Sequence, residues 1–101
     1  MHFMVLAWDG TDDEAVARRD ATRAEHMVTI GKAFEEGTVV FGAGILDEDG
    51  VVRGSLVVTD HPSRADVDGY LSAEPFMTKG VWERVEVHPL FVPDMYLPNR
   101  G

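Results

Sequence analysis

Two runs of consecutive apolar residues predict strands that are covered on both faces. Residues 3–8 are apolar at every position, and residues 51–59 contain the segment Ser-Leu-Val-Val-Thr. Strands of this kind lie in the middle of a sheet, because both of their faces must be kept from water. Residues 38–45 also predict a strand, and the two glycines in it favour a bulge or close packing against a neighbour.

The last predicted strand, residues 81–88, shows the alternation that is typical of a half-buried strand. One of its sides carries Val81, Glu83, Val85 and Val87, and the other carries Trp82, Arg84, Glu86 and His88. Such a strand packs one face against the protein and leaves the other face open.

A long helix is predicted between the first two strands. Thr11 and Glu14 have the spacing of a capping box, in which a hydroxyl and a carboxylate satisfy free amides at the start of a helix. Gly37 favours the left-handed turn that ends a helix, and Gly31 favours fraying or a bend before that end. The predicted apolar stripe consists of residues at helical spacing, namely Met27, Ile30 and Phe34.

Turn and cap residues complete the order of elements. An Asp-Gly pair ending at Gly50 favours a hairpin, and Ser63 with Asp66 has the spacing of a second capping box. Glu74 before Pro75 predicts one further helical turn, because proline suits the first helical position. The resulting β-α-β-β-α-β order is the ferredoxin-like plan of the α+β class, an antiparallel four-stranded sheet with both long helices on one face.

This plan leaves one face of an apolar sheet without cover. A soluble monomer rarely exposes an apolar patch of that size. A standard interface buries about 800 Å² per partner, and its apolar part would contribute roughly 10 kcal/mol before the costs of association. We therefore expect a homodimer joined sheet to sheet. Residues 91–101 are expected to form a C-terminal arm that packs on the partner.

Composition and charge narrow the possible functions. The chain of 101 residues has room for one domain, with its core at about residues 3–90. Its net charge of −9 argues against nucleic acid and anionic membranes as partners. The absence of cysteine excludes disulfides, thiolate metal sites and thiol nucleophiles. The first residues lack the basic segment of a signal peptide, so we expect a cytoplasmic protein.

His26 is the first candidate for chemistry, since a neutral imidazole can both take and give a proton. Arg19 and Arg23 precede it on the same side of the predicted helix and would form a positive ridge suited to an anionic or phenolic molecule. Glu74 could hold the second imidazole nitrogen, and Ser55 could add a hydroxyl. From the residues alone, a boundary histidine and a helix-capping Glu74 are equally open interpretations.

An ordered set of short motifs resembles the YCII-related family from about residue 3 to residue 90. These motifs are Arg19, Arg23 and His26, then Glu36-Gly37, Gly42-x-Gly44, Asp49-Gly50, Gly54-Ser55, Ser63, Glu74-Pro75-Phe76, Gly80 and Val85-Glu86-Val87. The resemblance implies a ferredoxin-like protomer that dimerises as an α/β barrel. It also implies a small enzyme built around a histidine and an aspartate, and in one branch a dehydrochlorinase of a chlorinated, hydroxylated aromatic.

By position, the resemblance places the family's helix histidine at His26 and its Asp-Pro carboxylate at Glu74. Glutamate keeps the charge but is one methylene longer, so it must fold back or shift to reach the imidazole. Together these points predict a small dimeric enzyme without a metal or cofactor, in which the general base His26 and its partner Glu74 catalyse elimination, isomerisation or hydrolysis. Arg19, Arg23 and Ser55 would bind the small anionic or phenolic substrate.

Two alternatives use the same residues. The first is a non-catalytic module that binds a small metabolite in the same pocket. The second is a structural role, in which His26 and the arginines only stabilise the dimer. The enzyme prediction requires that His26 and Glu74 come within hydrogen-bond reach beside a shared cavity.

Overall fold

The computed structural model describes residues 1–97 and confirms the predicted fold class. Along the chain, the elements are β1 (His2–Asp9), α1 (Ala15–Glu36), β2 (Val39–Leu46), β3 (Val52–Asp60), α2 (Arg64–Ala73), α3 (Pro75–Thr78), β4 (Trp82–Leu90) and a short 3-10 turn (Asp94–Tyr96). The strands form one antiparallel sheet in the order β2-β3-β1-β4. The two continuous apolar runs therefore supply the central strands, as predicted.

One face of the sheet carries the core. Val5 on β1 lies opposite Val57 on β3 and Val87 on β4. Val5 and Val57 are buried, and they pack with Ala33 of α1 and Phe76 of α3. The helices thus cover this face, and the odd-numbered residues of β1 point towards them.

The other face of the sheet has no helix over it within residues 1–97. Three of its central side chains, Met4, Leu6 and Leu56, are only partly buried, whereas Val58, which lies opposite Met4, is buried. We call these three residues and their surroundings the open sheet face. The predicted C-terminal arm at 91–101 extends beyond the described residues, and its packing on a partner stays a prediction, as does the division at residue 90.

The predicted capping box of α1 is wrong, because the helix begins at Ala15 and Glu14 makes no side-chain cap. The Asp12 carboxylate accepts a hydrogen bond from the Glu14 N–H at 3.2 Å and pairs with Arg18 at 2.7 Å. Asp12, rather than Thr11, therefore organises the turn before the helix. The predicted end at Gly37 is confirmed, since this glycine has a φ of 85°.

The apolar stripe predicted for α1 is wrong at two of its three positions. Met27 and Phe34 are 46% and 56% exposed. The buried residues of α1 are instead Ala15, Thr22, His26 and Ala33. Mostly small side chains form the buried face, and the side chains of Met27 and Phe34 stay outside the core. The helix continues through Gly31 without a break.

The predicted sides of β4 are wrong for one residue, Trp82. Trp8 lies opposite Arg84, but the next residue, Asp9, lies opposite Trp82, so Glu83 is an extra residue in β4. A bulge of this kind shifts the alternation by one residue, so the residue before it in the chain turns to the other face of the sheet. Trp82 is consequently buried on the helix side together with Val85 and Val87.

The other predicted turns and caps are confirmed. Gly50 has a φ of 80° in the hairpin between β2 and β3, and the Ser63 hydroxyl caps α2 by accepting the Asp66 N–H. The pairing of β2 with β3 changes register between Val39 and Phe41 and again between Ile45 and Leu46, on either side of the glycines of β2. Of the helices described, none has the length and apolar character needed to cross a membrane.

Candidate active site

A cavity of about 700 Å³ lies between α1 and the strands β2 and β3. Most of its wall is apolar and includes the Met27, Ile30 and Phe34 side chains that the sequence predicted for the core. Met27 and Phe34 are exposed because they face this hollow. The polar side chains at the wall are Arg19, Asp20, Arg23, His26 and Ser55. A largely apolar hollow with a few convergent polar groups is the usual form of a small-molecule site.

The structure brings His26 and Glu74 together. His26 lies in the middle of α1, Glu74 is the N-cap of α3, and the distance from imidazole Nδ1 to carboxylate Oε1 is 2.6 Å. The His26 side chain is 10% exposed and that of Glu74 is completely buried. His26 contributes to the cavity wall whereas Glu74 lies behind the imidazole. The longer acid therefore reaches the ring without solvent contact.

Two further hydrogen bonds hold the Glu74 carboxylate. Oε1 accepts the Phe76 N–H at 3.1 Å, which is the cap of α3, and Oε2 accepts the Tyr70 hydroxyl at 3.2 Å. Burial, followed by the nearby Glu74 charge, raises the pKa of Tyr70. Tyr70 therefore keeps its proton and remains a hydrogen-bond donor. Capping and imidazole contact are both served by one side chain.

The imidazole of His26 is fixed with one nitrogen available to the cavity. It stacks on the Phe76 ring at a centroid distance of 3.9 Å and an interplanar angle of 9°. Because the carboxylate of Glu74 accepts at Nδ1, the proton of a neutral imidazole resides there and Nε2 carries the lone pair. No residue within 1–97 forms a hydrogen bond with Nε2. This arrangement can take a proton from a molecule in the cavity.

Arg19 is held by a buried acid. Its Nη1 donates to both carboxylate oxygens of Asp9, at 2.8 and 2.9 Å, and its Nη2 donates to Ser55 Oγ at 2.9 Å. The side chains of Arg19 and Asp9 are 12% and 3% exposed. The predicted positive ridge is therefore neutralised in part, because the Arg19 charge faces the Asp9 charge. Its guanidinium also lies 4.7 Å from the centroid of the Phe76 ring.

Arg23 is the exposed cation at the cavity wall. It makes no side-chain hydrogen bond or ion pair with the described part of the chain. Of the two arginines predicted to bind substrate, only Arg23 has a charge that could pair with an anion in the cavity. Arg19 is paired with Asp9 and forms part of the cavity wall.

Sequence reasoning missed two residues of this site, Asp9 and Tyr70, and it placed Trp82 in the core or pocket wall but on the wrong side of β4. Asp9 follows Phe3, Val5 and Ala7 at every second position of β1. This alternation could have indicated that its side chain points to the helix side of the sheet. Tyr70 precedes Glu74 by one helical turn, which is a second usable signal. Trp82 gave none, because the bulge that turns it inward leaves no mark in the alternation of β4.

Metal-ligating side chains do not assemble in this site. Among residues 1–97, no group of three or more histidine or acidic side chains is placed to hold a metal ion. His26 and Glu74 face each other rather than a common vacant position.

Comparisons with known proteins place this fold among characterised structures. The model of the YCII-related domain matches residues 1–90. The 5-chloro-2-hydroxyhydroquinone dehydrochlorinase of Burkholderia phenoliruptrix, solved in complex with 2,5-dihydroxybenzoquinone, is 17% identical, with a TM-score of 0.79 over 94% of this chain and 98% of that one. A candidate antibiotic biosynthesis monooxygenase of Nitrosomonas europaea is 13% identical, with a TM-score of 0.55 over 91% and 100% of the two chains. No curated protein matches the chain.

Proposed function

Since this chain belongs to the family of YCII-related domains, we propose that it is a small acid–base enzyme that acts without a cofactor. Its substrate would be a small anionic or phenolic molecule held in the cavity beside α1. His26 would move the proton, Glu74 would orient the imidazole, and Arg23 with Ser55 would contact the substrate. Arg19 would support the wall beneath it.

One observation carries the proposal, the 2.6 Å contact between His26 Nδ1 and Glu74 Oε1 behind an imidazole that lines the cavity. A buried carboxylate behind a histidine fixes its tautomer and stabilises the imidazolium that forms when the ring accepts a proton. The apolar wall would exclude water and strengthen that interaction. These are the requirements of a general base.

Elimination is the first reaction to test. In a dehydrochlorination of a chlorohydroquinone, the ring first tautomerises, so that the carbon bearing chlorine gains a hydrogen and the neighbouring oxygen becomes a carbonyl. Nε2 of His26 then takes the proton of the opposite hydroxyl, the electrons of that O–H bond form a second carbonyl, the adjacent ring double bond shifts, and chloride leaves with its bonding pair. The named activity of the similarly folded dehydrochlorinase supports this choice. Isomerisation and hydrolysis need the same base and stay within the proposal.

The proposal includes a homodimer in the cytoplasm. The open sheet face supports pairing, because Met4, Leu6 and Leu56 occupy the two central strands and are only partly buried. A second copy laid on this face would complete their burial.

Replacement of His26 tests the proposed function. His26→Ala should lower the rate of chloride release from 5-chloro-2-hydroxyhydroquinone at least about a hundredfold, the scale of a missing general base. Circular dichroism and the melting temperature should show that the variant still folds. Thr29→Ala is the matched control, because Thr29 lies on the same helix but outside the cavity wall, and it should keep the rate.

The other interpretations predict different results. A binding module would show no turnover with the wild-type protein, and His26→Ala would only weaken binding of chlorinated phenols. A purely structural histidine would lower the melting temperature on replacement and leave ligand binding unchanged. A full rate in a folded His26→Ala protein would contradict the proposed catalytic role.

A further inference from the structure

The oxygen of Ser55 accepts two hydrogen bonds. Arg19 Nη2 lies 2.9 Å away and the indole Nε1 of Trp82 lies 3.2 Å away. A guanidinium and an indole N–H can only donate, so the Ser55 oxygen must be the acceptor in both contacts. A hydroxyl has two lone pairs and one proton. Both lone pairs are therefore occupied.

The proton of the Ser55 hydroxyl remains without an acceptor. Ser55 is 4% exposed, and no other residue within 1–97 accepts a hydrogen bond from it. The residue contributes to the cavity wall. Because an unsatisfied buried donor is costly, the acceptor for this proton has to come from whatever fills the cavity.

We propose that Ser55 is a specificity-determining donor, which selects molecules that present an anionic or carbonyl oxygen at its end of the cavity. The two bound N–H groups prevent Ser55 from accepting, so an amine or another donor at this position would meet a proton instead of a lone pair. The guanidinium of Arg19 withdraws charge from the oxygen and strengthens the hydroxyl as a donor. This inference rests on the proposed function, since it assigns the substrate site to the same cavity.

The proposed donor lies at the same end of the cavity as the imidazole. The Trp82 ring, whose N–H reaches Ser55, has its centroid 6.3 Å from that of His26. Arg19 and His26 both contact the Phe76 ring. One small ring could therefore give an oxygen to Ser55 while a neighbouring position faces Nε2 of His26. The proposed substrate class is therefore limited to molecules with such an oxygen, namely phenolates, enolates, carboxylates and carbonyl compounds.

Binding of two isosteric probes tests the assignment. Pentafluorophenol is an oxyanion at neutral pH, and pentafluoroaniline places an N–H donor at the same position of the same ring. Fluorine NMR titration of the wild-type protein should show at least about tenfold tighter binding of the phenolate, as expected for a charge-assisted hydrogen bond. Ser55→Ala should lose most of this preference by weakening the phenolate alone.

Two further variants complete the test. Ser55→Thr keeps a hydroxyl with the same two acceptor positions and should retain the preference. Ser72→Ala removes a hydroxyl that bonds to the Gly69 carbonyl outside the cavity, and it should behave as wild type. If Ser55→Ala fails to fold, the wild-type preference and Ser55→Thr decide between the outcomes.

The proposal is overturned if wild type binds the two probes equally, if it binds neither, or if folded Ser55→Ala keeps the full preference. Its failure can be told apart from failure of the proposed function. A protein without turnover can still show the preference for the phenolate, and an active enzyme whose rate depends on His26 can lack it.

Discussion

The Glu74 carboxylate receives three polar contacts in a space without solvent. One oxygen faces the His26 imidazole and the Phe76 N–H, and the other accepts the Tyr70 hydroxyl. The same oxygen caps the start of α3 and orients the imidazole. The fold itself therefore positions the proposed pair of His26 and Glu74. The additional methylene of glutamate is accommodated within this set of contacts.

Tyr70 is a positioning residue for Glu74. Tyr70→Phe should lower kcat by roughly tenfold, the scale of a lost hydrogen bond to a charged acceptor, while KM changes little. Since the pKa of Tyr70 is raised by burial and by Glu74, its proton stays bound across the working pH range. The ratio of the wild-type and variant rates should therefore be constant with pH, which steady-state kinetics over that range would measure.

The control for this prediction is Tyr96→Phe, because Tyr96 is 71% exposed in the C-terminal 3-10 turn. It should leave kcat unchanged. A Tyr70→Phe enzyme with the wild-type kcat, or with a loss confined to high pH, would show that Tyr70 does not position the carboxylate.

For single residues, the sequence indicated which side chains could take part in the site, but it did not indicate which of them contact each other. His26 and Glu74 are 48 positions apart, and only the fold brings them to hydrogen-bond distance. Arg19 was expected to present a free charge, yet Asp9 at the end of β1 neutralises much of it. Pairings between distant elements depend on register and spacing, which a single sequence does not specify.

Among the elements, the β1–β3 contact has the tightest steric demand at Gly54. A Cβ at this position would lie 2.5 Å from the Ala7 carbonyl oxygen and 3.1 Å from the Trp8 ring. The first contact is with backbone, so no side-chain rotation could relieve it. Glycine is therefore required for the two central strands to keep their present distance.

Gly54→Ala should destabilise the protein by about 1–3 kcal/mol, the usual cost of overpacking. Gly69→Ala is the matched control in α2, where an added Cβ would meet nothing within 4 Å. It should stabilise the protein by about 0.5–1 kcal/mol, because alanine favours a helix interior. Urea unfolding measures both changes, and equal stability of the two variants would contradict the steric interpretation.

The ends of the helices were predictable where capping by nearby residues determines them. Ser63 caps α2 and Glu74 caps α3 as expected from residue type and spacing. The start of α1 was not, since the Asp12 carboxylate competes for the amide that Thr11 was expected to cap. The faces of α1 were also misjudged, because an apolar stripe can line a cavity as well as a core.

At the scale of the whole molecule, the main feature is the open sheet face, which none of the helices described covers. Its central side chains belong to the strands with the most continuous apolar sequence, and the helices described within residues 1–97 pack on the opposite face. The apolar runs were sufficient to predict which two strands are central, and the ferredoxin-like plan predicted the uncovered face. The cavity was not predictable in shape, since it depends on how far α1 stands from β2 and β3.

Leu6→Glu should abolish the proposed dimer, because it places a charge at the middle of the open sheet face. Val28→Glu is the matched control, since Val28 is 75% exposed on α1, away from the sheet. Size-exclusion chromatography with light scattering should give a dimeric mass for wild type and Val28→Glu and a monomeric mass for Leu6→Glu. A monomeric wild-type protein would contradict the dimer proposal.

The extra residue in β4 has an effect well beyond its own strand. By carrying Glu83, β4 turns the Trp82 indole inward, and that indole occupies the second lone pair of the Ser55 hydroxyl. Under the proposed role of Ser55, ligand selection at this hydroxyl would depend on strand length as much as on residue identity. A one-residue deletion near Glu83 would change which molecules are accepted while leaving every cavity-lining side chain in the sequence.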